Sequence, residues 1–320
     1  MPADLAVIIV SWNTRDLTLN ALRTLYADLD AHGPGADVWL VDNASTDGTA
    51  DIVRRLFPQT HVIDSAQNLG FAAGNNLALR ALGFGPGAET PPDETPRAVY
   101  LLNPDTLTHP GATRALFDAL FSLPRAGAVG ARLTYESGAF QHSAFRFPGL
   151  AQLVIDLLPV PLRLYDSALN GRYPRAAYAA GEPFPVDHTL GATMMLRREA
   201  ILDTGVFDEQ FTMYCEEIDW SIRIRAAGYE IYCVPAAHVT HLSGQSTRQA
   251  RPQSVINLWR SRLRLYDKHH PPLVRRAARW IIRAGMSRQI AAAKRAFQRG
   301  ELTAGQRDEL IEAYRAVQRM

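Results

Sequence analysis

The pattern DNASTDGT at residues 42–49 is the first group of side chains that could do chemistry. The adjacent carboxylate and amide of Asp42 and Asn43 suit the hydroxyls of a ribose, the N–H of a base or a phosphate. Helix capping is the simpler interpretation, in which the hydroxyl of Ser45 or Thr46 opens a helix. Both interpretations put the group between a strand and a helix.

Two further parts of the sequence could supply ligands to a divalent cation. Asp105 follows an apolar run in the sequence Asn103-Pro104-Asp105, and its carboxylate could hold a hard cation whose shell a diphosphate completes. An ordinary turn would explain the same three residues without a metal. His238 and His241 are expected on a loop after a later strand, and imidazole beside a carboxylate suits Mn²⁺ or Mg²⁺.

Two adjacent glutamates, Glu216 and Glu217, follow an aromatic segment at residues 211–214. Acidic residues at a helix start interact favourably with the helix dipole, and Asp219 can pair with Arg223 one turn later. This structural role explains Asp219 better than it explains the glutamates. A carboxylate in such surroundings can have a raised pKa and can act as a general base.

Strands and helices alternate along the first hundred residues, which predicts an α/β fold with a mainly parallel, Rossmann-like sheet. The predicted strands cover residues 5–10, 38–41, 61–63 and 98–102, and the predicted helices cover 14–29, 46–57 and 72–82. In the second half, strands are expected over 186–196 and 229–234, with a helix over 216–227 between them. Ligands bind such sheets at the carboxyl ends of the strands, where the polar groups at 11–14, 42–48 and 103–106 fall.

Length and composition exclude several classes of protein. The chain has 320 residues, 47% hydrophobic and 21% charged, which is typical of a globular protein and not of a fibrous or disordered one. Its two cysteines, Cys215 and Cys233, are too few for a disulfide scaffold. No apolar stretch is long enough for a transmembrane helix, and the N-terminal residues do not resemble a signal peptide. A cytoplasmic location is therefore expected.

Positive charge is concentrated near the C-terminus. Residues 248–320 contain 17 basic and 5 acidic residues, whereas the rest of the chain is net negative. Residues 273–299 predict a basic amphipathic helix that could lie on an anionic membrane surface. A helix packed against the rest of the chain, or a contact in a homodimer, explains the pattern as well. Nucleic acid is a poorer partner because the body of the chain is acidic.

Taken in order, the motifs resemble those of family 2 glycosyltransferases, and most of all their rhamnosyltransferase-like branch. The matching segments are VIIVSWN (7–13), VDNASTDGT (41–49), NLGFAAGNN (68–76), LLNPD (101–105), GATMMLRR (191–198), GVFDE (205–209), EEIDWSIR (216–223), AGY (227–229) and HLSGQS (241–246). The resemblance covers about residues 5–270. It implies a GT-A fold and an inverting transfer from a nucleotide-diphosphate sugar.

The resemblance also implies roles for individual residues. The nucleotide-sugar pocket would comprise Ser11, Asn13, Asp42, Asn43, Asn68, Gly70, Gly74, Asn76, Asn103 and Asp105. Asp105 and His241 would hold Mg²⁺ or Mn²⁺, and Gly191 and Ala192 would contact the acceptor.

The catalytic base that the resemblance implies is Glu217. The family usually has aspartate there, so Glu216 remains a rival base. Asn103 stands where the family's Asp-x-Asp motif has its first acid, a replacement that is usual in this branch.

Residues 1–270 are expected to form the GT-A domain, with a nucleotide-sugar half at 1–110, an acceptor half at 111–270 and a basic helical tail at 271–320. The expected reaction is metal-dependent transfer of a sugar from dTDP-rhamnose or a UDP-sugar to a hydroxyl of a lipid-linked or polysaccharide acceptor in cell-surface glycan synthesis. The alternatives are a nucleotide-sugar-binding or nucleotidyl-transferring protein, or an inactive homologue with a scaffold role. A lysine-bearing phosphate loop would favour nucleotidyl transfer, but residues 1–100 contain no lysine.

Overall fold

A ten-stranded mixed sheet forms the centre of the first of two compact units, in a computed structural model that describes residues 3–86, 94–242 and 251–320. The strands of the chain are β1 (Leu5–Ser11), β2 (Ala36–Asp42), β3 (His61–Asp64), β4 (Ala98–Leu102), β5 (Thr106–Thr108), β6 (Ala126–Thr134), β7 (Phe140–Gln141), β8 (Ala144–Phe145), β9 (Phe184–Val186), β10 (His188–Thr189), β11 (Thr193–Arg197) and β12 (Glu230–His241). The main order is β3-β2-β1-β4-β11-β6-β12-β5, with β7 on β6 and β9 on β12. Strands β8 and β10 pair separately.

Helices cover both faces of this sheet. The helices of the first unit are α1 (Arg15–His32), α2 (Thr49–Leu56), α3 (Gly70–Ala81), α4 (Ala112–Ser122), α6 (Arg175–Ala179), α7 (Arg198–Thr204) and α8 (Glu216–Ala226). Side chains alternate along a strand, so Val7 and Ile9 of β1 join one apolar core while Ile8 joins the other. Burial on both faces explains why the strand is a continuous apolar run, and the predicted α/β class is confirmed.

Strand direction brings the ends of β1, β2, β4 and β12 and the starts of β5 and β11 to one edge of the sheet. Strands β2, β1 and β4 are parallel, and the last residues of β1 and β2, Ser11 and Asp42, are paired in register. Strand β11 runs antiparallel to β4, so its first residue Thr193 pairs with Leu102, the last residue of β4. Strand β5 runs antiparallel to β12, which places Thr106 opposite His241.

Two predicted strands differ from those of the structure. The strand predicted at 186–196 forms parts of three strands, because the chain leaves the main sheet at β10 to pair with β8 and returns as β11. The last strand continues beyond 234 to His241 after an irregularity between Val234 and His238 that contains Pro235. The expectation of a loop was therefore wrong for His238 and His241, which both lie in β12.

The second compact unit is helical and comprises residues 148–172, 213–215 and 247–320. Its α-helices are α5 (Leu150–Leu157), α9 (Arg251–His269), α10 (Pro272–Gln298) and α11 (Ala304–Gln318). Helix α10 contributes Ile281, Ile282 and Met286 to an apolar core. A Cβ on Gly285 would lie 2.7 Å from the Cβ of Leu157, so α10 and α5 pack very closely.

The C-terminal helical extension is confirmed, and its apolar face is buried within its own unit. In the part of the chain that the structure describes, no helix is both long and apolar enough to cross a membrane.

Candidate active site

Polar contacts shape the loops that follow β1 and β2. Asp42 Oδ1 accepts the Ser45 N–H at 3.0 Å, and the Asn13 N–H donates to Ser45 Oγ at 3.0 Å. Asn13 Oδ1 in turn accepts the Thr46 N–H at 2.8 Å. The predicted helix cap is wrong: neither Ser45 nor Thr46 caps α2, because that helix begins at Thr49 after Gly48.

Ser11, the last residue of β1, holds the start of α1 in place through its side chain. Its side chain is fully buried and bonds to the hydroxyls of Thr14 and Thr18 at 2.9 and 2.8 Å. This contact joins the end of β1 to the start of α1, so the Ser11 side chain has a structural role.

Asn43 organises the turn before α3. Its Nδ2 donates to Asn68 Oδ1 and to the Gly70 carbonyl, each at 3.0 Å, and its Oδ1 accepts the Leu69 N–H at 2.9 Å. The side chain is buried, and both of its polar atoms are bonded within the protein. Three of the sequence-predicted pocket residues, Asn43, Asn68 and Gly70, are therefore brought together.

Two glycines allow α3 to pack closely. Gly70 has a φ of +81°, and a Cβ there would lie 2.2 Å from the Thr212 carbonyl oxygen. A Cβ on Gly74 would lie 2.9 Å from Val10 Cγ1. Larger residues would push α3 away from β1 and from the Asn43 turn.

Asn76 makes its contacts elsewhere. Its amide bonds the Phe207 carbonyl and N–H at 2.9 and 3.1 Å, and Glu209 Oε1 at 3.0 Å. These bonds join α3 to the segment after α7. The Asn76 side chain therefore does not meet Asn43, Asn68 and Gly70, with which the sequence analysis had placed it.

Asp105 and His241 face each other, with 3.4 Å between Asp105 Oδ1 and His241 Nε2. The pairing of β5 with β12 positions them, and the Leu242 N–H donates to the Asp105 carbonyl at 2.9 Å. Carboxylate oxygen and imidazole nitrogen together suit Mn²⁺ and, less well, Mg²⁺. Among the described residues, no group of three or more His, Cys, Asp or Glu could hold a metal ion, so a cation here needs further oxygen ligands.

Asn103 directly follows β4, two residues before Asp105. Its N–H donates to the Ala192 carbonyl at 3.0 Å. Its Oδ1 is buried and has no hydrogen-bond partner in the described part of the chain. This unpaired oxygen makes the end of β4 suited to a polar ligand.

Glu216 and Glu217 are the first two residues of α8, as predicted. The side chain of Glu216 is buried, whereas that of Glu217 is partly exposed. Burial raises the pKa of Glu217 to about 7. Burial and the neighbouring Glu217 raise the pKa of Glu216 well above its ordinary value. Glu217 is thus the carboxylate that is both accessible and poised to exchange a proton near neutral pH.

The backbone before α8 is unusual. Tyr214 and Cys215 have φ values of +71° and +66°, in the left-handed region that residues other than glycine rarely adopt. Such strain clusters at functional sites, where surrounding structure holds it in place.

The predicted ion pair within α8 is confirmed and also anchors the helix. Arg223 Nε donates to Asp219 Oδ2 at 3.0 Å, and the same guanidinium bonds the carbonyls of Thr204 and Val206. The indole N–H of the buried Trp220 donates to Thr204 Oγ1 at 2.9 Å. These contacts fix the orientation of the helix that carries Glu217.

Sequence reasoning missed Gln141. Its side-chain nitrogen lies 3.1 Å from His241 Nδ1, although the two residues are 100 positions apart in the sequence. A lone glutamine in a two-residue strand carries no periodic or motif signal, so only the fold reveals the contact.

The chain belongs to the family described as glycosyltransferase like family 2, whose model matches residues 2–264. It is 29% identical over 260 residues to the N-acetylglucosaminyl-diphospho-decaprenol L-rhamnosyltransferase of Mycobacterium tuberculosis, covering 78% of this chain and 80% of that protein. It is 26% identical over 258 residues to the low-salt glycan biosynthesis hexosyltransferase Agl10 of Haloferax volcanii, covering 80% and 72%. The protein is therefore a glycosyltransferase, and its resemblance to the rhamnosyltransferase-like branch is confirmed.

The fold is similar to that of the mannosyltransferase PcManGT from Pyrobaculum calidifontis, solved in complex with GDP-Man and Mn²⁺. The TM-score is 0.54 at 18% identity, over 99% of this chain and 86% of that one. The predicted GT-A fold is confirmed by this likeness together with the sheet described above.

Proposed function

We propose that this glycosyltransferase is inverting and metal-dependent, and that it transfers a sugar from a nucleotide diphosphate to a hydroxyl of a lipid-linked or polysaccharide acceptor in cell-surface glycan synthesis. One observation carries the proposal: a Cβ on Gly191 would lie 3.4 Å from Glu217 Cβ, and the next residue, Ala192, accepts a hydrogen bond from the Asn103 N–H. A carboxylate with a pKa near neutrality is thereby held beside the end of β4, where Asp105 and His241 follow. Acid–base chemistry and charge neutralisation are thus available at one edge of the sheet.

The donor pocket of this proposal lies at the ends of β1, β2 and β4. Asp42 and the loop of Asn13 would contact the base and ribose, while Asn43 would hold the turn of Asn68 and Gly70 in place. The name of the rhamnosyltransferase relative supports rhamnose as the transferred sugar. The proposed donor is dTDP-rhamnose, with a UDP-sugar as the alternative. That relative's name also supports a lipid-linked diphosphate sugar as the acceptor.

Asp105 and His241 would hold the cation, and oxygens of the donor diphosphate would complete its coordination. When bound, Mg²⁺ or Mn²⁺ neutralises the charge that develops on a departing diphosphate. Asn103 Oδ1 has no hydrogen-bond partner among the described residues. It would accept a hydrogen bond from the bound nucleotide sugar.

Glu217 would remove the proton of the acceptor hydroxyl as that oxygen attacks the anomeric carbon. With a raised pKa, Glu217 accepts this proton more readily than an ordinary surface carboxylate. Glu216 is buried, and burial together with the neighbouring Glu217 raises its pKa well above its ordinary value, which favours its protonated form. One base and one displacement from the opposite face predict inversion of configuration at the anomeric carbon.

The exposed face of α10 would bind an anionic membrane on the cytoplasmic side, close to a lipid-linked acceptor. Leu273 and Trp280 are 77% and 71% exposed, and the exposed Arg276 and Arg283 alternate with them along the helix. Aromatic and aliphatic side chains between arginines suit the interface between lipid headgroups and acyl chains.

The reaction can be tested by incubating the full chain with dTDP-rhamnose, UDP-sugars or GDP-mannose and a polyprenyl-diphosphate N-acetylglucosamine acceptor, in Mg²⁺ or Mn²⁺. Mass spectrometry would identify a product with one added sugar, and NMR would give its anomeric configuration. Transfer with inversion is expected. A product with retained configuration would contradict the single-displacement mechanism, and failure with every donor would contradict the proposed substrate class.

A further inference from the structure

A buried glutamine contacts the imidazole nitrogen of His241 that does not face Asp105. Gln141 lies in β7 opposite Leu133 of β6, and its Nε2 is 3.1 Å from His241 Nδ1. Gln141 and His241 are only 6% and 7% exposed, so this contact is shielded from water. His241 is thus held between an amide on one ring nitrogen and a carboxylate on the other.

This contact determines which nitrogen of a neutral imidazole carries the proton. The side-chain nitrogen of glutamine is a donor only, so His241 Nδ1 must act as the acceptor. The ring proton then lies on Nε2 and points towards Asp105 Oδ1, 3.4 Å away. In this tautomer Nε2 has no lone pair free for a cation.

The other end of the same amide is unengaged. Gln141 Oε1 is buried and has no hydrogen-bond partner among the described residues. The last side-chain torsion of glutamine has a broad, roughly two-fold energy profile. Rotation about it would exchange the two ends of the amide without a change in the backbone. The oxygen would then accept a proton from Nδ1, and the Nε2 lone pair would face Asp105.

We propose that Gln141 is a positioning residue that selects the tautomer of His241, with its nitrogen on Nδ1 in the cation-free protein and its oxygen on Nδ1 when Asp105 and His241 share a cation. The cation-bound half of this inference rests on the metal site proposed above. The cation-free half depends only on the contacts of Gln141, His241 and Asp105.

Nitrogen-15 NMR of the metal-free protein with labelled histidine tests the tautomer directly. A His241→Gln variant assigns the two ring signals, which distinguish a protonated from an unprotonated nitrogen. At a pH where the ring is neutral, Nδ1 is expected to be unprotonated in the unmodified protein. In Gln141→Glu, a carboxylate faces Nδ1, so Nδ1 is expected to carry a proton. A proton on Nδ1 of the unmodified protein, or no difference between the two proteins, would overturn the proposal.

Cation affinity supplies a second measurement. Free Mn²⁺ can be followed by electron paramagnetic resonance in the presence of UDP or dTDP. Gln141→Met, which keeps the length but removes the amide, is expected to weaken Mn²⁺ binding by about tenfold or more. Gln141→Glu is expected to restore it, because a carboxylate also accepts from Nδ1. The exposed Gln59→Met is the matched control and should change nothing.

The two ways of failing are distinguishable. Equal Mn²⁺ affinity in the unmodified protein, Gln141→Met and Gln141→Glu would refute the role of Gln141 while leaving the metal site intact. If the unmodified protein binds no Mn²⁺ with either nucleotide, the proposed metal site and the cation-bound half of the inference are wrong. The NMR result then still decides the cation-free half.

Discussion

Gly191 faces the side chain of Glu217: a Cβ on residue 191 would lie 3.4 Å from Glu217 Cβ and 3.5 Å from Cγ. The next residue, Ala192, accepts the hydrogen bond from Asn103 at the end of β4. A residue without a side chain thus separates the accessible carboxylate of α8 from the edge where β4 ends. Such a gap suits an acceptor hydroxyl that must reach both the base and the anomeric carbon.

Glu217→Gln keeps the shape of the side chain and removes the proton acceptor. We expect kcat to fall by about 10²–10⁴-fold with little change in donor affinity. Steady-state kinetics and calorimetry with the donor nucleotide would measure the two effects. Glu216→Gln is the matched control and should lower kcat less, because the Glu216 side chain is buried. Near-normal turnover in Glu217→Gln with loss of activity in Glu216→Gln would reverse the two roles.

The raised pKa of Glu217 has opposite consequences for activity and stability. Activity should rise through about pH 7, where the base becomes ionised, and Glu217→Gln should lose this dependence. The pKa in the folded state lies above the ordinary value of 4.5, so ionisation of Glu217 destabilises the fold as pH rises from about 4.5 to 7. Thermal melting should therefore show Glu217→Gln to be more stable than the unmodified protein at pH 8 and equally stable near pH 4. Equal stability at both pH values would contradict this prediction.

Removal of either proposed cation ligand should uncouple nucleotide binding from metal. In Asp105→Ala and His241→Ala, the gain in UDP or dTDP affinity that Mn²⁺ produces over chelator should shrink by more than about tenfold. Calorimetry with and without the metal would measure it. Asp118→Ala is the control, because that carboxylate is exposed on α4 and pairs with Arg114. The prediction fails if the unmodified protein binds nucleotide equally well in chelator.

Asn43→Ala should destabilise the protein by about 2–4 kcal/mol, because it removes three side-chain hydrogen bonds from the turn before α3. Asn43→Asp should lower the free energy of unfolding by at least as much, because it replaces Nδ2 with a second oxygen that would face the Gly70 carbonyl. Donor affinity should fall in both variants. Thermal melting and calorimetry would measure these effects against Asn20→Ala, an exposed asparagine of α1. Melting of Asn43→Ala at the temperature of that control would contradict the structural role of Asn43.

Membrane binding by α10 is best tested with point substitutions, because the buried face of that helix forms part of a core. Trp280→Ser and Arg276→Glu should each weaken binding to phosphatidylglycerol vesicles, and salt should weaken binding of the unmodified protein. Leu202→Ser and Arg55→Glu make the same changes at exposed positions of α7 and α2.

The vesicle-binding assay also separates the alternatives for this face. If the unmodified protein does not bind anionic vesicles at low salt, the proposed membrane role of α10 is wrong. A concentration-dependent dimer that Trp280→Ser disrupts would instead indicate a contact between two copies of the chain.

The sequence predicted the elements whose signal is local. Buried parallel strands are continuous apolar runs, so β1, β2 and β4 were recognisable, as was α8 with its Asp219–Arg223 pair. The division of the strand predicted at 186–196 was not recognisable, because the strands with which β9, β10 and β11 pair lie far away in the chain. The predicted strand ends at residue 234, just before Pro235, yet pairing with β6 resumes at His238.

In the candidate site, too, the sequence predicted local features but not contacts between distant residues. The motifs indicated which residue types belong to it, and Asp105 and His241 do face each other. Spacing alone gave no sign that Asn43 and Asn76 bond within the protein, nor that Gln141 contacts His241. Hydrogen-bond partners chosen across strands depend on register, which a single sequence does not reveal.

The antiparallel pairing of β5 with β12 also governs when the site can form during synthesis. The strands that end near Ser11, Asp42 and Leu102 belong to the first third of the chain, and they can pair as soon as that part leaves the ribosome. Asp105 meets His241 only after β12 has been made and has docked against β6 and β5. A nascent chain can thus acquire the scaffold of the proposed nucleotide pocket well before it can join Asp105 to His241. If the proposed cation site is right, binding of a nucleotide diphosphate with a divalent cation would report completion of the sheet.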